Sequence, residues 1–100
     1  MVEANPRILQ SVRKLIAEVL GPHHIPVYLF GSWAQGKPGV ASDIDVAVDP
    51  STPLPAGTLA KLRERLEESH IPYRVEVVDL SQTDHSFRAQ ILRSGIPWNG

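Results

Sequence analysis

The chain contains no cysteine. Disulfides, zinc–thiolate centres and cysteine nucleophiles are therefore excluded. It lacks an apolar run approaching the roughly 20 residues that a membrane helix needs. Charges interrupt its opening stretch, MVEANPRILQSVRKLIAEVL, so a signal peptide is not expected either. Nor does it carry an excess of one charge. Ten basic residues stand against eleven acidic ones, for a net charge of −1. Proteins that coat nucleic acid are usually basic, so strong nucleic-acid binding is not expected. There is no internal repeat. These absences leave a soluble, cytoplasmic protein as the expectation. The 100 residues allow one domain, 1–100. Area scaling buries roughly 65% of the surface of such a chain, enough for one modest core. The apolar fraction of 42% is slightly low for a globular protein, which leaves room for a partner.

What is present is a clear alternation of elements. Asn5-Pro6 reads as a helix start, and Ile8, Leu9, Val12, Leu15, Ile16, Val19 and Leu20 form one stripe of helical period. Gly21-Pro22 ends that helix. Val27 to Phe30 reads as a buried strand, and Gly31-Ser32 as a tight turn into a short helix. Residues 37–42 form a loop. Asp43 to Val48 alternates with period two, putting Ile44, Val46 and Val48 inward and Asp43 and Asp45 on the other face. A Pro-rich loop follows, then a helix from Thr58 to about His70 with Leu59, Leu62 and Leu66 on one face. Tyr73 to Asp79 reads as a third strand, with Glu76 opposite Val75 and Val77. A last helix begins near Ser81 or Thr83 and stops at Gly95. The tail Ile96–Trp98 suits a sheet edge or a partner surface. The fold class is α/β (α+β): a small mixed sheet with helices on one side and the other face free for chemistry.

The chemistry concentrates in Gly31-Ser32 and Ser42-Asp43-Ile44-Asp45. Aspartates two apart on a strand point the same way, with Cα atoms roughly 6.6 Å apart. Paired carboxylates repel unless a cation lies between them, and Mg²⁺ prefers such oxygen ligands. A glycine turn that opens a helix lets backbone approach a phosphate. Metal ligands beside a phosphate cradle are what phosphoryl or nucleotidyl transfer needs. Glu76 interrupts an apolar strand and is the third carboxylate; Asp79 is its rival, but should point with Val75 and Val77.

Residues 27–48, VYLFGSWAQGKPGVASDIDVAV, resemble the nucleotidyltransferase fold of the DNA polymerase β superfamily, and within it the minimal stand-alone domains. The shared pattern is a strand ending in Gly-Ser, a spacer, an Asp-x-Asp strand and a later strand with a third acid. The resemblance implies two Mg²⁺ ions (or Mn²⁺) on Asp43, Asp45 and Glu76. It implies that Gly31, Ser32 and Ser42 hold the nucleotide, ATP or another NTP, and that AMP passes to a macromolecular hydroxyl. Minimal domains of this kind pair with small helical HEPN proteins as antitoxins, so such a partner is implied; a homo-oligomer is the other cover for the apolar tail. Two positions depart from the pattern. Gln35 stands where Arg is common, and Glu76 where Asp is common.

Other readings stand beside these. The chain could be a binding module that neutralises a helical partner by contact, its site vestigial. Ser32 suits a helix N-cap as well as a phosphate contact. Trp33 suits base stacking or packing beside the turn. Trp98 suits a core or an interface. His23, His24, His70 and His85 lack a ligand spacing and read as solvated residues.

Overall fold

A computed structural model describes residues 6–36 and 43–98. Its elements run α1 (Pro6–Leu20), β1 (Val27–Phe30), α2 (Gly31–Ala34), β2 (Ile44–Val48), α3 (Thr58–Glu68), β3 (Val75–Asp79), α4 (His85–Ser94) and β4 (Ile96–Pro97). Short 3₁₀ turns at Gly21–His23 and Leu80–Gln82 join them. Asn5, the expected cap of α1, lies outside the described residues.

The four strands form one mixed sheet in the order β3-β2-β1-β4. β1 runs antiparallel to β2 and β4, and β2 runs parallel to β3. The parallel pair needs a long crossover, which α3 supplies. The helical stripe of α1 buries Val12, Ile16 and Leu20 against Leu62 and Leu66 of α3 and against Ile44, Val46 and Val48 of β2. This is the main core, and α1 and α3 cover one sheet face as expected.

The opposite face is not wholly free. α4 lies across it, packing Phe87 and Ile91 with Leu80 against Tyr28, Phe30, Ala47 and Val78. The reason is chemical. Four of the side chains on that face are apolar, and leaving them wet is unfavourable by the area rule. Helices on one side therefore describes α1 and α3 but not α4. Among the described residues this packing does not include Asp45, which lies half-buried on the same face beside Phe30.

The tail Ile96–Trp98 does extend the sheet. Ile96 pairs with Leu29, Pro97 with Tyr28, and the Trp98 N–H donates to the Val27 carbonyl at 2.8 Å. Trp98 is buried in the main core. Among the described residues no helix is long and apolar enough to cross a membrane.

Candidate active site

β1 delivers Phe30 opposite Asp45 in the antiparallel register, and the chain turns immediately at Gly31. Gly31 has φ of +77°, a conformation that L side chains rarely adopt. A Cβ there would collide with Oδ2 of Asp45. Glycine thus serves two needs at this position: the left-handed turn and close approach to a carboxylate. Ser32 and Trp33 follow in α2. Phe30, not Ser32, occupies the N-cap, so the capping role for Ser32 is corrected: it lies inside the first turn, half-buried. Trp33 is 2% exposed and packs edge-on to Tyr73, with centroids 4.9 Å apart. A ring held in the core cannot stack a nucleobase, so packing is its role.

β2 carries the carboxylates. Ile44, Val46 and Val48 are fully buried on the α1–α3 face, which turns Asp45 to the other face. Asp43 precedes the strand by one residue, and the adjoining Ile44 N–H is held by the Arg74 carbonyl at 2.9 Å. β3 then places Glu76 beside Asp45 in the parallel register. Residues paired in register share a face, so Glu76 and Asp45 are neighbours across two strands.

The electrostatics agree with this grouping. Burial, then the charge of Glu76, then that of Asp43, push the Asp45 carboxyl above the usual carboxylate range. Each cause disfavours the charged form. Three acids thus share one environment. They do not converge on one point: among the described residues no three such side chains are spaced to close around an ion. The donor set is all carboxylate oxygen, which fits a hard divalent cation.

Asp79 is engaged elsewhere. Its Oδ1 accepts from the Ser81 N–H at 2.9 Å and the Ser81 hydroxyl at 2.7 Å, capping the turn after β3. Gln35 is exposed at the end of α2, and His23, His24, His70 and His85 are exposed too. Ser42 lies outside the described residues, as does Lys37.

Two structural features had no clear sequence signal. Arg88 of α4 grips Asp49 with two bonds, 3.2 Å from Nε and 2.9 Å from Nη2. Phe87 meets Phe30 edge-on at 5.8 Å, so α4 braces the strand end that leads into Gly31. Thirty-nine residues separate Asp49 from Arg88, which hides the pair from any local reading.

Comparison with known proteins gives one consistent result. The family profile "Polymerase beta, Nucleotidyltransferase" matches residues 15–97. A probable protein adenylyltransferase MntA of Haemophilus influenzae is 35% identical over 83 residues, 83% of this chain and 71% of that protein. A chain in the crystal structure of a toxin–antitoxin with AMP-PNP superposes with a TM-score of 0.69 at 28% identity, covering 88% of this chain and 73% of that one. A chain in the structure of a tri-AMPylated Shewanella oneidensis HEPN toxin in complex with MNT antitoxin superposes with a TM-score of 0.62 at 26% identity, covering 91% and 71%.

Proposed function

The chain belongs to the polymerase beta nucleotidyltransferase family, and from that premise we propose that it moves AMP from ATP to a hydroxyl of a HEPN-type protein partner. The reading takes residues 1–100 as one minimal domain acting in the cytoplasm. One observation carries it: Asp45 stands in register with Glu76 on the face away from the main core, with Gly31 against its carboxylate.

Asp43, Asp45 and Glu76 are the residues to hold Mg²⁺. When bound, Mg²⁺ supplies charge stabilisation for the transferred phosphoryl group. Gly31 and Ser32 receive the triphosphate at the start of α2, and Ser42 joins them by the family pattern. Glu76 is exposed and outermost of the three, so it meets the acceptor and accepts a hydrogen bond from its hydroxyl. The hydroxyl oxygen attacks the α-phosphorus, a new P–O bond forms, and the bond to pyrophosphate breaks. The hydroxyl proton leaves through Glu76. In-line transfer of this kind depends chiefly on positioning and charge.

The test is transfer from α-labelled ATP with Mg²⁺ to protein in a lysate of the native host. A labelled band is expected with the wild-type chain and none with Asp43→Asn. Label retained with Asp43→Asn overturns the assignment. Tight copurification of a partner with no label instead favours neutralisation by contact.

A further inference from the structure

Among the described residues β3 ends the sheet on one side. One bond fixes which way its backbone groups point: the Ile44 N–H donates to the Arg74 carbonyl. Backbone groups alternate sides along a strand, so those of residues 74, 76 and 78 address β2 and those of Val75 and Val77 face outward. Among the described residues one outward group is taken, the Val77 carbonyl, by Arg63 Nη2 at 2.9 Å. A groove of about 590 Å³ lies between this edge, the end of α3 and the segment before β3, lined by Arg63, Leu66, Ile71, Arg74, Val75 and Glu76 among others. Edge and carboxylate face therefore meet at Glu76.

We infer that an extended segment of the acceptor protein adds to the β3 edge as an antiparallel strand, with its hydroxyl residue opposite Glu76. The inference deepens the transfer reading above and rests on it. An antiparallel neighbour makes its paired hydrogen bonds opposite Val75 and Val77. The residue opposite Glu76 then falls in a non-hydrogen-bonded pair, where Cα atoms approach to about 4.5 Å and side chains share a face. A Ser, Thr or Tyr at that place sets its hydroxyl beside the Glu76 carboxylate, on the face that holds Asp45. A parallel neighbour pairs less stably and lacks this close opposition.

The register also specifies flanking chemistry. The acceptor residue opposite Val78 meets an apolar side chain, and the one opposite Arg74 meets a guanidinium. Read from N to C, the segment is apolar, any, hydroxyl, any, acidic. Arg63 shields the Val77 carbonyl until the strand arrives, as charged side chains shield other sheet edges.

The test is an NMR titration of the full ¹⁵N-labelled chain with the peptide Ser-Leu-Ala-Tyr-Ala-Glu-Ser. Binding is expected to slow amide exchange at Val75 and Val77 by about tenfold or more, with little change at Glu76 and Val78. N-methylation of both alanines removes the donors that face β3 and weakens binding by about tenfold or more, whereas N-methylation of the tyrosine changes it by less than about twofold. Arg74→Glu weakens binding, and a peptide with Lys in place of Glu restores it. No binding up to about 1 mM, or equal loss from both methylation patterns, overturns the inference. Titration of the same sample with ATP and Mg²⁺ separates the two claims. Shifts at the Gly31 and Asp45 amides with a failed peptide arm overturn the docking alone. Failure of both arms overturns the transfer reading as well.

Discussion

Asp45 bears the tension of the site. Its carboxyl is raised by burial and by Glu76 and Asp43, so the folded chain holds its proton more tightly than the unfolded chain does. Between the ordinary pKa and the raised one, stability falls as pH rises. Above the raised pKa the folded chain carries the whole cost, and below the ordinary value it carries none. Asp45→Asn is therefore expected to raise the melting temperature of the metal-free protein at neutral pH, while cutting transfer by about 10³-fold. Thermal denaturation at neutral and acidic pH checks it: the gain should vanish in acid. The residues of this cluster were legible because their spacing is local. Gly31-Ser32 and Asp43-x-Asp45 lie within one short stretch, and period two assigned Glu76 its face. The geometry also explains what spacing left open. Asp79 is bound to Ser81, and Trp33 is committed to Tyr73.

At the scale of elements, α4 is the piece the sequence placed least well. The spacing predicts a start near Ser81 or Thr83; the helix begins at His85 with Asp84 as its cap, accepting from the Phe87 N–H at 2.8 Å. Leu80–Gln82 forms a separate turn, capped by Asp79. Two capping acids five residues apart look alike in a sequence; which helix each serves depends on where the sheet ends. The helix also crosses to the second face because of Tyr28, Phe30, Ala47 and Val78, residues drawn from three strands. Its anchor predicts an asymmetry. The Asp49 side chain is 13% exposed and that of Arg88 is 43% exposed. Losing Arg88 strands a shielded carboxylate, whereas losing Asp49 frees a guanidinium that already reaches water. Arg88→Ala should lower the melting temperature more than Asp49→Ala does, and the double variant should recover part of the loss. Equal losses would mean that the pair is held by packing alone.

Across the whole molecule, the two layers of helix do different work. α1 and α3 build the core, and α4 with β4 ties the last residues back to β1. Trp98 is the keystone of that return, 7% exposed in the main core. Trp98→Ala should cost about 3–5 kcal/mol of unfolding free energy, measured by urea titration. A loss near zero would show that the tail rests on the surface. At one end of the second face β1 turns, β2 begins and β3 passes alongside. We propose that the carboxylates and the glycine turn there form one nucleotide site. The most direct measurement is a crystal structure of the chain grown with Mn²⁺ and a non-hydrolysable ATP analogue. Anomalous density for Mn²⁺ is expected among Asp43, Asp45 and Glu76, with the triphosphate against Gly31 and Ser32. Mn²⁺ and triphosphate bound elsewhere, with those carboxylates empty, would contradict it.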